Sequence, residues 1–145
     1  MPAERTIAQI IEGQQPVTAV AHLTVSEAAR LMKEHKIGAL MVVDGEKLLG
    51  VFTERDALFR VLAEGRNGDT TPVGDVMTRN PRTIGADKPF LHALQMMHDG
   101  GFRHLPVVGE DRLLGIVSVR DALGPELESF VFELLRQEHI GEVLA

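Results

Sequence analysis

The sequence predicts a mixed α/β (α+β) fold: two β-α-β-β-α units packed as a pseudo-twofold pair, followed by a C-terminal helix. Three observations predict it. Setting each residue n against n + 65 aligns residues 6–58 with 71–123 without a gap, and 16 of the 53 pairs are identical, which marks a duplication. Each copy carries two short apolar runs split by a polar turn, the pattern of a strand hairpin. Apolar residues at helical spacing flank each hairpin.

The elements follow in order. Residues 6–12 are a short apolar-periodic segment with a counterpart at 72–77, and 16–20 and 82–84 are brief extended pieces. Thr24 opens a helix with Glu27 three residues on, the spacing of a capping box, and Val25, Ala28, Ala29, Leu31 and Met32 form its apolar face. In the second copy Asp87 is the cap, Pro89 falls in the first turn, Phe90, Leu94 and Met97 make the stripe, and Gly100-Gly101 ends the helix. Residues 39–43 and 104–108 are continuous apolar runs, as in strands covered on both faces. Polar turns at 44–47 and 109–112 lead to return strands at 48–52 and 113–117. A helix with Ala57, Leu58, Val61 and Leu62 follows Thr53, and residues 63–72 link the copies. Gly124-Pro125 breaks the helix begun after Ser118, and Pro125 suits the first turn of a new one. There Leu127, Phe130, Val131, Leu134 and Leu135 share a face that either the chain itself or a partner subunit must cover. The division is residues 1–66, 67–124 and a helical tail at 125–145.

Composition excludes several classes of function. A net charge of −6, spread along the chain, argues against nucleic acid, whose binding rests on phosphate neutralisation. With no cysteine there is no disulfide, thiolate nucleophile or Cys metal site. The six histidines (His22, His35, His92, His98, His104 and His139) show no metal-ligand spacing, so no metal is expected. The opening residues 1–5 lack the pattern of a signal peptide, and no apolar run approaches the ~20 residues of a membrane span. A cytoplasmic protein is the expectation. Neither a Walker nor a dinucleotide glycine fingerprint is present, and Ser118 has no evident base partner, so no catalytic residue is assigned.

The chemistry concentrates at one stretch that occurs twice. Gly50-Val51-Phe52-Thr53-Glu54-Arg55-Asp56 returns as Gly115-Ile116-Val117-Ser118-Val119-Arg120-Asp121. Each reads as a buried strand turning directly into a helix. The hydroxyl and the carboxylate three residues later are what a helix start needs. Capping does not explain Arg55 and Arg120, because a cation in the first turn opposes the helix dipole. A hydroxyl, a guanidinium and a carboxylate together suit a ribose phosphate: the cation for the phosphate, the carboxylate for the sugar diol.

With these motifs the chain resembles a tandem pair of cystathionine-β-synthase (CBS) domains over about residues 6–123. The resemblance rests on the duplicated unit, on Ile37-Gly38-Ala39-Leu40-Met41-Val42-Val43 and Phe102-Arg103-His104-Leu105-Pro106-Val107-Val108, on the two Gly-x-x-Thr/Ser-x-x-Asp motifs, and on Val76-Met77-Thr78. It implies a disc-like module whose repeats pack through their sheets and form two clefts for an adenosine compound: AMP, ADP, ATP, NAD(H) or S-adenosylmethionine. Carried over by residue, Asp56 and Asp121 take the ribose, and Thr53 and Ser118 face the phosphate with Arg55 and Arg120. Thr18 and Thr83 border the base or sugar, and Ala39, Met41, His104 and Pro106 line the adenine slot. Met41, where the second copy has Pro106, and Glu54, where it has Val119, depart from the pattern and favour the second cleft. The resemblance further implies a homodimer and a regulatory, non-catalytic role read by a partner protein. The alternative is an interaction module whose motifs act only as helix caps.

Overall fold

The computed structural model describes the backbone of residues 5–144 and the side chains of residues 5–138; the opening residues 1–4 and the side chain of His139 lie outside what is described. Strands β1 (Thr18–Ala19), β2 (Ala39–Asp44) and β3 (Lys47–Thr53) belong to the first repeat, and β5 (His104–Gly109) and β6 (Arg112–Ser118) to the second. They run in the order β1-β2-β3-β6-β5, with β4 (Thr78–Arg79) paired to β3. Helices α2 (Val25–His35) and α4 (Phe90–Gly100) precede the hairpins, and α5 (Gly124–Leu144) ends the chain. This is the mixed fold and the duplicated unit that the sequence predicts.

The repeats meet edge to edge where their hairpin turns touch. Lys47 and Arg112 form the one register pair between β3 and β6. Leu113 N–H donates to the Glu46 carbonyl at 2.9 Å, and Arg112 pairs with Glu46 at 2.7 Å. Beside this contact Ala39, Met41 and Val51 form a small cluster with Leu48, Leu113 and Ile116, which joins the two sheets.

The lead-in segments are exchanged between repeats. Helix α1 (Ile7–Ile11), which aligns with the first copy, buries Ile7 in the second repeat's core with Phe90, Leu94, Met97, Leu105 and Val107. Val73, Val76 and Met77, which align with the second copy, sit in the first repeat's core with Val25, Ala28, Met32, Leu40 and Phe52. Two glycines at matching motif positions admit these segments. A Cβ on Gly50 would lie 2.7 Å from the Met77 sulfur and from the Thr78 carbonyl; one on Gly115 would lie 2.8 Å from Ile11 Cβ and from Gln14 Oε1. Thr78–Arg79 pairs with Val51 and Gly50 through its backbone. Gln14, the counterpart of Arg79, does the same with its side-chain amide, donating to Ile116 O at 2.9 Å and accepting from Ile116 N–H at 2.7 Å.

Several local expectations change in three dimensions. Helix α4 starts after Pro89, and Asp87 does not cap it. Its first N–H, on Phe90, instead meets the Arg5 carbonyl at 2.8 Å, so the exchanged segment sets the helix start. On α2 the Thr24 hydroxyl accepts from Glu27 N–H, while Ala29 faces solvent and the buried face is Val25, Ala28 and Met32. After Thr53 the helix α3 (Glu54–Asp56) runs into a π-helical stretch, Ala57–Leu62, which buries Val61 but leaves Leu58 and Leu62 exposed. The second junction yields only a 3₁₀ turn, Val119–Asp121, before Ala122 turns extended. Pro125 has no N–H to offer the Asp121 carbonyl four residues back, and its ring would clash there. Arg5 Nη2 donates to that carbonyl instead, at 2.7 Å. Arg5 also forks onto Glu126 in the first turn of α5, with Nε to Oε2 at 3.0 Å.

Helix α5 resolves how its apolar residues divide. Phe130 turns inward, packs on the second core and meets His98 edge-on at 5.7 Å. Leu127, Val131, Phe132 and Leu135 stay exposed. No described helix is long and apolar enough to cross a membrane.

Candidate functional site

Both junctions are built alike. A buried strand delivers a hydroxyl residue in extended conformation, and the next carboxylate folds back onto it. At the first, Thr53 Oγ1 accepts from Asp56 N–H at 3.1 Å, and Asp56 Oδ2 accepts from Thr53 N–H at 3.0 Å and from its hydroxyl at 3.1 Å. At the second, Asp121 Oδ2 accepts from Ser118 N–H at 2.7 Å and from the Ser118 hydroxyl at 3.4 Å. The reciprocal cap that the sequence calls for is therefore formed at the first junction, and its carboxylate half at the second.

The two carboxylates differ in what remains available. Asp56 is 7% exposed, and its other oxygen, Oδ1, accepts from the Thr78 hydroxyl at 3.4 Å and lies 3.5 Å from Arg60 Nε. Arg60 is held in turn by the Val76 and Met77 carbonyls. Asp121 is half-buried, and among the described residues no side chain bonds its Oδ1. Arg60 and Thr78 were not among the sequence candidates. The i, i+4 spacing of Asp56 and Arg60 is a legible signal; Thr78 arrives with the exchanged segment, and nothing local announces it.

The remaining candidates fall around these pairs. Ala39 is the register partner of Thr53, and His104 that of Ser118. Met41 pairs with Val51 and Thr18, and Pro106 with Ile116. Ala39 and Met41 are buried against the sheet contact, Met41 completely, and Pro106 is buried; Thr18 is exposed and Thr83 half-buried. Arg55 is exposed and rests over the Phe59 ring at 5.3 Å, whereas Arg120 is exposed at the second junction. His104 also reaches across the repeats. A Cβ on Gly38 would lie 3.6 Å from its Cε1 and 3.0 Å from Glu54 Oε1, so imidazole and carboxylate share the space over that glycine. Burial lowers the His104 pKa, Glu54 opposes the shift, and Arg120 and Arg103 add to it.

Two grooves have linings that do not include the hydroxyl–carboxylate pairs themselves. One of about 650 Å³ between α4 and α5 is lined by Leu91, Gln95, Phe130, Phe132 and acidic Glu128 and Glu133. The other, about 470 Å³, lies beside Phe59, Arg60, Arg66 and Asp75. Among the described residues no group of three His, Asp or Glu side chains is placed to hold a metal ion.

The comparisons with known proteins agree with this architecture. The CBS domain family model matches residues 8–63 and 73–125. The CBS domain-containing protein CBSX3, mitochondrial, of Arabidopsis thaliana is 36% identical over 118 residues, which is 78% of this chain and 57% of that protein. The chain thus spans less than two thirds of that relative's length. A CBS-domain containing protein of Agrobacterium tumefaciens superposes with a TM-score of 0.74 at 32% identity, covering 81% of this chain and 95% of that one. A CBS domain pair solved in complex with 5′-methylthioadenosine and S-adenosyl-L-methionine superposes with a TM-score of 0.72 at 30% identity, covering 82% and 93%. By its two matched segments, its duplicated hairpins and its paired junctions, this chain belongs to the CBS domain family.

Proposed function

We propose that the chain is a non-catalytic regulatory module that binds an adenosine compound at its strand–helix junctions and passes the occupancy to a partner protein. The observation that carries this reading is Asp121, a carboxylate anchored through one oxygen with the other left open, beside the exposed Arg120. The complex of the related domain pair with two adenosine compounds supports the ligand class. AMP, ADP, ATP, NAD(H) and S-adenosylmethionine are the candidates. Occupancy at Asp121 has a direct route outward, because Arg5 ties the Asp121 carbonyl to Glu126 at the start of α5. A cytoplasmic homodimer is part of the same proposal. Exposed Leu58, Phe59 and Leu62 after the first junction, with Leu127, Val131 and Leu135 on α5, are the apolar faces such a dimer would cover.

A second reading has its own support. Asp56 is capped, buried and fully partnered by the protein, as a purely structural motif would be. A thermal-shift panel with AMP, ADP, ATP, NAD, NADH, S-adenosylmethionine, GMP and phosphate separates the two. A ligand bound only by the native state adds about 2.7 kcal/mol of stability at a hundredfold excess over Kd. A selective, dose-dependent rise with an adenosine compound is the expected result; no rise with any of them leaves the interaction module.

A further inference from the structure

The copies have diverged at three matched positions that meet across the pseudo-twofold axis. Where the first repeat has Gly38, Ala39 and Glu54, the second has Arg103, His104 and Val119. The backbone is the same at both: Glu54 N–H donates to Gly38 O at 3.0 Å, and Val119 N–H to Arg103 O at 3.2 Å. His104 of the second repeat lies against Gly38 and Glu54 of the first. Its counterpart Ala39 is only a methyl group, buried at the contact between the sheets. The first junction therefore has an imidazole and a carboxylate beside it, whereas the second carries the Arg103 guanidinium where the first has Gly38.

We propose that the two junctions are functionally inequivalent: the first is a structural cap closed by His104, and the second takes a single anionic adenosine ligand whose phosphate is met by Arg103 and Arg120. This rests on the nucleotide reading above and adds the stoichiometry, the ligand charge and the residues that set them. Three observations converge on it. Both Asp56 oxygens are occupied by Thr53, Thr78 and Arg60, whereas Asp121 keeps one open. Glu54 would repel a phosphate at the first junction, and Val119 would not at the second. Arg103 and Arg120 are exposed, and among the described residues neither is in an ion pair, so both charges can serve a ligand.

Calorimetric titration of the full chain with AMP and with adenosine tests this. The expected result is one AMP per chain. Arg103→Ala should weaken AMP at least tenfold and adenosine less than threefold. Asp121→Asn should abolish binding, while Asp56→Asn lowers the melting temperature and keeps AMP affinity within threefold. Two AMP per chain, or loss of binding in Asp56→Asn with Asp121→Asn intact, would overturn the inference and leave the nucleotide reading standing. If neither compound binds the unaltered chain, the inference falls, and the nucleotide reading is decided by the wider ligand panel. An NMR titration of His104 checks the plug without any ligand. Because Glu54 raises the His104 pKa, Glu54→Gln should lower it further; an unmoved titration means the imidazole does not face Glu54, and the closed first junction is wrong.

Discussion

Asp56 and Asp121 occupy the same motif position and differ in every side-chain partner beyond the hydroxyl residue three positions back. Removing the Asp56 carboxylate strands the Thr53 N–H and frees Arg60 and Thr78, so Asp56→Ala should destabilise the fold by about 1–3 kcal/mol in urea unfolding. Asp121→Ala removes the two contacts to Ser118 at a half-buried position and should cost about 1 kcal/mol. Its main effect should be on nucleotide affinity. Glu126 gives a prediction in pH. The hydrogen bond from Arg5 lowers its pKa, so the pair stabilises the folded state above the ordinary carboxylate value of about 4.3 and loses that contribution as pH falls through the folded value. The stability difference between the unaltered chain and Arg5→Ala should be about 1–2 kcal/mol at pH 7 and should shrink at pH 3.

At the scale of elements, the two motif glycines serve packing. Their positions are legible in the duplication, but the reason for them is not, since the atoms that exclude a Cβ arrive from the other repeat. Gly50→Ala and Gly115→Ala should each cost about 1–3 kcal/mol, read as a lower denaturant midpoint with an unchanged slope. The hairpin turns carry the opposite kind of strain. Gly45 in the first turn has positive φ, while in the second both Glu110 and Asp111 do, at 54° and 66°. A left-handed conformation costs an ordinary side chain about 1–2 kcal/mol. The double substitution Glu110→Asn, Asp111→Gly, which suits a two-residue turn, should raise the melting temperature. The strands and helices were legible because each has its own periodicity, whereas the start of α4 was not. Asp87 has the right chemistry for a cap, but the Arg5 carbonyl reaches Phe90 N–H first.

For the whole molecule, the exchange of lead-in segments decides how it folds. Ile7 completes the second core, and Val73, Val76 and Met77 complete the first. Cutting between the copies leaves each half without part of its interior. Fragments 1–66 and 67–124, made separately, should show little cooperative unfolding by circular dichroism, while the intact chain melts in one transition; two independently folded fragments would contradict the exchange. The sequence by itself determined the duplication, the hairpins and the helices before them, the caps at Thr24 and Thr53, and the paired junctions. These follow from local rules of periodicity, turn chemistry and hydrogen-bonding groups three or four residues apart. Only the tertiary structure decided which lead-in belongs to which core, why Gly50 and Gly115 must be glycine, that Asp56 is enclosed by Thr78 and Arg60 while Asp121 stays half open, and that His104 crosses to Gly38 and Glu54. Each depends on residues far apart in the chain, and such contacts leave no local pattern because packing in three dimensions, not spacing along the backbone, brings them together.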